Sequence, residues 1–123
     1  MFIKKIHGLG NHLVIDAFSD AELDSAKFIK SFIIELVDKI NMTPISKPLV
    51  IDYKAKNPME SGVTATIILA ESNITIHTYP EKKWFALDIF SCNEFEIDKT
   101  MEYLIEKLKI TKHKKNLLKR GFY

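Results

Sequence analysis

The stretch AESNITIHTYPE, residues 70–81, sets a Glu71-Ser72 pair between two β-branched runs, with His77 five residues past the serine. Cys92, the chain's one cysteine, follows fifteen residues after His77. A serine hydroxyl is a nucleophile once something activates it. An imidazole titrates near neutral pH and can take or give a proton. A thiol is a weak acid. Each also has a plainer use. A Glu-Ser pair is usually a turn, a strand histidine usually a hydrogen-bonded one, and a lone buried cysteine usually a small apolar side chain. A strand has no need of Glu-Ser-Asn at this point, and the interruption requires a reason.

The elements that hold these residues follow from periodicity. His12–Phe18 reads as a strand, and Ser19 with Glu22 as a capping box. Ala26, Ile29, Phe32, Ile33, Leu36, Val37 and Ile40 then recur at helical spacing. Pro44 and Pro48 frame an exit loop before a strand at Leu49–Ala55, and Asn57-Pro58 and Gly62 mark a turn. Three strands follow at Val63–Ala70, Ile74–Tyr79 and Trp84–Ser91, the last two joined by the hairpin-sized Pro80–Lys83. A second helix is predicted over Asp98–Lys109, with Ile97, Met101, Leu104, Ile105 and Leu108 as its buried stripe. The tail from Thr111 to Tyr123 is ambiguous, with a last short strand one option. Short links between neighbouring strands imply an α+β two-layer sandwich: a largely antiparallel sheet with two main helices on one face. The length of 123 residues suits one domain spanning 1–123.

Alternation then sorts the side chains. Val63, Ala65, Ile67 and Leu69 share one face with Ile74, Ile76, Phe85, Leu87 and Ile89, and should lie under the helices. The other face carries Thr64, Thr66, Thr75, His77, Tyr79, Trp84, Asp88, Phe90 and Cys92. Hydroxyl, imidazole and thiol groups are available together there. That composition suits a pocket or a second subunit, or reflects the strand preference of Thr, Tyr and Trp.

Composition excludes several classes. Hydrophobic residues make up 46% and charged residues 28%, as in an ordinary globular domain. A net charge of +2 is too small to imply a nucleic-acid or membrane partner. Seven of the 18 Lys and Arg residues fall between Lys107 and Arg120, either as a solvated helix end and tail or as a patch for an anion. One cysteine allows no internal disulfide and fits a reducing compartment. MFIKKIHGLG lacks the apolar core of a signal peptide, and no stretch has the length of a membrane span. A cytoplasmic location is expected. His7, His12 and His113 form no ligand set, so no metal is expected.

ESNITIHTYPE followed by ALDIFSC resembles the small prokaryotic S-adenosylmethionine decarboxylases, pyruvoyl enzymes made as self-cutting proenzymes. The family pattern is close to Glu-Ser-His-hydrophobic-Ser/Thr-Ile-His-Thr-aromatic-Pro-Glu, with a later block close to Asp-hydrophobic-Phe-Thr-Cys-Gly. Gly10-Asn11-His12-Leu13-Val14-Ile15-Asp16 matches an early family segment, and Gly62-Val63-Thr64-Ala65 loosely matches its Gly-Val-Ser-Gly. The resemblance implies self-cleavage between Glu71 and Ser72, with Ser72 becoming the pyruvoyl group that forms a Schiff base with substrate. It implies His77 as the acid/base of processing, Cys92 as the proton donor in decarboxylation, Thr64 as a hydroxyl supporting processing, and Glu81 near the bound nucleoside. It further implies S-adenosylmethionine as substrate, a role in spermidine synthesis, and a homodimer of cleaved protomers.

Asn73, Asn93 and Ala65 depart from the pattern, standing where it has His, Gly and Gly. An adenine-stacking aromatic would be sought near Pro58 and Met59. A pyruvoyl decarboxylase of arginine or ornithine, or an unprocessed homologue acting as a binding partner, are the alternative readings. Five is odd, so a regular strand would put Ser72 and His77 on opposite faces. Ser72 is therefore expected in the turn ahead of the strand, where the bond can be bent and cut.

Overall fold

The computed structural model describes residues 10–121. The strands are β1 (Gly10–Ser19), β2 (Leu49–Tyr53), β3 (Gly62–Leu69), β4 (Ser72–Tyr79), β5 (Trp84–Ser91) and β6 (Ile110–Arg120). The helices are α1 (Ala26–Lys39) and α2 (Ile97–Lys107). The strands form one 6-stranded sheet in the order β2-β3-β4-β5-β1-β6. Every neighbouring pair runs antiparallel. The two-layer α+β architecture expected from the sequence is the one observed. The signal-peptide reading of MFIKKIHGLG, and His7 with it, falls outside the described residues except for Gly10.

The core sits between the sheet and the two helices. Leu13, Ile15, Val63, Ile74, Ile76, Phe85, Leu87 and Ile89 from the strands meet Ile29, Phe32, Ile33, Leu36 and Leu104 from the helices. Each fully buried side chain of this kind contributes roughly 1.5–3 kcal/mol relative to leaving it in water. The burial pattern of β3, β4 and β5 alternates residue by residue, so one face is sealed by helices and the other is left open.

Three local expectations need correction. Ser19 does not cap α1. It ends β1 inside the ladder, and its Oγ donates to the Leu108 carbonyl at the end of α2. Ser25 takes the cap instead, its Oγ accepting from Phe28 N at 3.0 Å, because residues 20–24 stay in turns. On α2, Thr100 is buried while Ile105 is 39% exposed. The basic tail is a long strand: Lys109 turns the chain through a left-handed φ of 47°, and β6 then pairs along the whole of β1. Its lysines lie on a sheet edge, where charge discourages pairing with other chains.

Gly62 shows why the segment before Thr64 is fixed. A Cβ there would lie 1.9 Å from the Thr78 carbonyl oxygen, so only glycine allows β3 to start this close to β4. The Thr78 hydroxyl locks the same corner, accepting from Val63 N at 2.9 Å and donating to the Leu23 carbonyl at 2.7 Å.

Candidate active site

Strands β3 and β4 are joined by only Ala70 and Glu71, with Leu69 and Ser72 as the closing pair. A connection this short requires backbone twist that a standard turn does not supply. Glu71 supplies it with a φ of 61°, a left-handed conformation that costs a residue bearing a Cβ roughly 1–2 kcal/mol. The Glu71–Ser72 peptide bond therefore leaves directly from a strained residue.

Ser72 is the first residue of β4 and pairs with Leu69 on one side and Ser91 on the other. Its side chain shares the helix-covered face with Ile74 and Ile76 and is 7% exposed. Its Oγ has no hydrogen-bond partner. Leaving a buried hydroxyl unpaired costs about 1–3 kcal/mol, and native structures mostly avoid it. Among the described residues, the other buried side-chain polar atom without a partner is the Tyr103 hydroxyl, on α2 and away from the hairpin.

Cys92 follows the last residue of β5 and is half-buried. Its N–H donates to the Glu71 carbonyl oxygen at 3.4 Å. The contact is long. Even so, it aims a backbone dipole at the oxygen that gains negative charge when a nucleophile adds to that carbonyl. The turn carrying Cys92 is tied by Ser91, whose Oγ donates to the Asn93 carbonyl at 2.6 Å and accepts from Asn93 N at 2.9 Å. Asn93 is not among the residues with positive φ, so this turn has no need of the glycine in the family pattern. A serine two residues before an asparagine at a strand end was the readable sign of the turn, through its side-chain-to-backbone bond. Glu71, Ser72 and Cys92 are thus brought together.

The other expected site residues lie elsewhere on the chain. Ser72 is not in a turn ahead of the strand, because the two-residue loop has no slack and places it in the ladder. Alternation therefore holds, and His77 projects from the opposite face, roughly 16 Å along the strand at ~3.3 Å per residue. There its Nδ1 meets Thr64 Oγ1 at 3.0 Å, so the imidazole and the hydroxyl form one unit. Glu81 sits in a short 3-10 turn, Pro80–Lys82, at the far end of β4. It lines a cavity of about 370 Å³ with Asp24, Asp52 and Lys54 among others. A larger cavity of about 1090 Å³ lies between the helices and takes in Tyr103 and the loop from Asn93 to Glu96. Neither of these two cavities includes Ser72, His77 or Cys92.

The open face carries further pairs. His12 Nε2 and Asp88 Oδ1 are 3.0 Å apart, and Thr66 and Thr75 share a hydroxyl contact at 2.8 Å. Tyr79 and Trp84 stack with ring centroids 4.6 Å apart. Around them Phe18, Leu49, Ile51, Tyr53 and Ile68 are each at least half exposed. Of the departures from the family pattern, Asn73 is exposed and opposite Phe90. Ala65 is sealed in the core against Ile76, well away from the hairpin. Pro58 and Met59 form an exposed 3-10 turn capped by Asn57. No metal-binding cluster of His, Cys, Asp and Glu occurs among the described residues, and no helix among them is long and apolar enough to cross a membrane.

A single sheet shielded on one side, with a strained Glu-Ser hairpin abutting a cysteine turn, defines a small α+β protein of open-faced design. Residues 11–121 match the model of the S-adenosylmethionine decarboxylase family, and the chain belongs to that family. It is 33% identical over 116 residues to the S-adenosylmethionine decarboxylase proenzyme of Archaeoglobus fulgidus, covering 92% of this chain and 98% of that one. It is 32% identical over 115 residues to the proenzyme of the same name from Clostridium botulinum, covering 91% and 94%. The crystal structure of the adenosylmethionine decarboxylase from Aquifex aeolicus is similar to it with a TM-score of 0.78 at 27% identity, covering 94% of this chain and 93% of that one.

Proposed function

We propose that the chain is a proenzyme that cuts its own Glu71–Ser72 bond and then decarboxylates S-adenosylmethionine, supplying the aminopropyl donor for spermidine synthesis. The observation that carries the cleavage is the unpartnered, buried Ser72 hydroxyl behind a left-handed Glu71. Ser72 Oγ adds to the Glu71 carbonyl carbon while the Cys92 N–H faces the carbonyl oxygen. The C–N bond breaks, the Ser72 nitrogen takes a proton, and an ester joins Glu71 to the Ser72 side chain. A base then removes the Ser72 Cα proton, and the Glu71 carboxylate departs. The dehydroalanine left at position 72 tautomerises, and water displaces ammonia to leave a ketone. Strain at Glu71 is relieved as the bond opens.

The buried start of β4, with Cys92 beside it, fits a pyruvoyl group at position 72. That ketone supplies an electron sink for the pair released when CO2 leaves. The chain's own part is to hold position 72 at the strand end and to offer a proton from Cys92 Sγ, a weak acid in the turn that follows β5 and reaches the hairpin through its N–H. The reading needs no metal, and a free thiol in this role suits a reducing cytoplasm.

His77 is too far along β4 to serve Ser72 of its own chain. We place the processing base in a second copy, stacked open face to open face with its strands reversed. Its Thr64–His77 unit would then lie over the hairpin, and Glu81 of one copy would approach the substrate held by the other. The exposed Phe18, Leu49, Ile51 and Tyr53 supply apolar area for such a homodimer. Two tests follow. Intact mass should give a fragment ending at Glu71 and one headed by a carbonyl at 72 that borohydride reduces, and CO2 should be released from S-adenosylmethionine rather than from arginine or ornithine. Ser72→Ala and His77→Ala chains expressed together should form mixed dimers in which the His77→Ala chain is cut. If that chain stays whole in verified mixed dimers, the reversed pairing is wrong.

A further inference from the structure

Ser91 is fully buried and pairs with Ser72 across β4–β5 and with Asn11 across β5–β1. Its hydroxyl is used twice on one residue, at 2.6 Å to the Asn93 carbonyl and 2.9 Å from the Asn93 N–H. Cys92 lies inside the small ring these bonds close. Beyond the sheet ladder, Cys92 N donates to the Glu71 carbonyl oxygen. The neighbouring strand packs closely here: a Cβ on Gly10 would come within 2.9 Å of the Ser91 carbonyl oxygen.

Hydroxyls directly opposed on a ladder commonly bond each other. Here Asn93 occupies Ser91, and Ser72 Oγ is left free. We infer that Ser91 is a positioning residue for the cleavage. Its turn aims the Cys92 N–H at the Glu71 carbonyl oxygen and, by engaging the Ser91 hydroxyl, leaves the Ser72 hydroxyl available to attack. Ser91 touches neither reacting atom and acts through Cys92. This rests on the self-cleavage proposed above.

The test is a time course of cleavage in freshly synthesised full-length chain, with thermal melting of each variant in parallel. Ser91→Ala is expected to slow cleavage at least tenfold, and Ser91→Thr, which keeps the hydroxyl, to stay within about threefold of wild type. Ser91→Cys keeps the volume without a strong hydrogen bond and should behave like Ser91→Ala, which covers the case of Ser91→Ala failing to fold. Hydroxylamine identifies the step, because it cuts an accumulated Glu71–Ser72 ester. It should release fragments from His77→Ala, which is blocked after the ester forms, and none beyond background from Ser91→Ala. Wild-type cleavage with equally fast Ser91→Ala and Ser91→Cys chains overturns the inference alone. So does ready hydroxylamine cutting of Ser91→Ala, or a Ser91→Thr chain as slow as Ser91→Ala. A wild-type chain that never cleaves removes the self-cleavage reading and this inference with it.

Discussion

Strand β4 is entered through Ala70–Glu71 and left through Pro80–Lys83, and the two turns share most of their geometry. Each contains a left-handed residue, Glu71 at φ 61° and Lys83 at φ 54°. Each of those residues has its carbonyl oxygen capped by an N–H from a neighbouring segment, Cys92 at 3.4 Å and Ser19 at 2.9 Å. They differ in the next side chain. Ser72 turns into the covered face with its hydroxyl unpaired, whereas Trp84 lies on the open face and stacks on Tyr79. Backbone strain and a polarised carbonyl are therefore common to both ends of one strand. What sets the hairpin apart is a buried, unpaired hydroxyl on the next residue, the group proposed above as the nucleophile.

The largest effect follows from removing that nucleophile. Ser72→Ala should give one full-length chain by mass, with no cleavage over a period in which wild type goes to completion. The converse variant tests the comparison itself. Trp84→Ser puts a serine directly after left-handed Lys83, but on the open face, where water can satisfy its hydroxyl. No cut is expected at residue 83. A fragment ending there would show that left-handed backbone and a capped carbonyl suffice, and that burial of the hydroxyl is incidental.

A smaller effect separates the two parts that Cys92 plays. Its backbone N–H survives in Cys92→Ala, so that chain should mature at close to the wild-type rate. Its Sγ does not survive, and turnover of S-adenosylmethionine should fall by ~10²-fold or more, the range for loss of a positioned proton donor. Equal losses in maturation and turnover would mean that the thiol, rather than the N–H, serves the cleavage. Full activity in the variant would remove Cys92 from the decarboxylation.

Much of this arrangement was readable in the sequence. The β-branched alternation of β3, β4 and β5 dictates which face the helices cover, and Glu71-Ser72 breaks the pattern where the chain turns. The location of Ser72 was not readable. Alternation correctly put it opposite His77, but nothing in ESNITIHTYPE gives the loop length, and a two-residue loop draws Ser72 into the ladder. The Ser19 cap failed for a similar reason, since a distant carbonyl at Leu108 outcompetes the local helix for its hydroxyl. The tail stayed ambiguous because Lys-rich sequence reads as solvated, and an edge strand with a partner on one side only is solvated too. These failures share a cause: hydrogen-bond partners far away in sequence decide them.

The smallest effect addresses what the strain at Glu71 does. Glycine adopts a left-handed φ without the Cβ penalty of roughly 1–2 kcal/mol, though its greater unfolded-state freedom takes back roughly 0.5–1 kcal/mol. In an uncuttable Ser72→Ala background, Glu71→Gly should therefore leave the melting temperature level or raise it by a few degrees. With Ser72 present, the relieved strain no longer assists bond opening, and cleavage should slow by several-fold, since ~1.4 kcal/mol corresponds to a factor of ten. Lys83→Gly is the matched control, because it relieves a left-handed residue at the other end of β4 and should leave the cleavage rate unchanged. If both glycine variants alter stability alike and neither slows cleavage, the strain at Glu71 belongs to the tight hairpin alone, and the unpaired Ser72 hydroxyl must account for the reactivity without it.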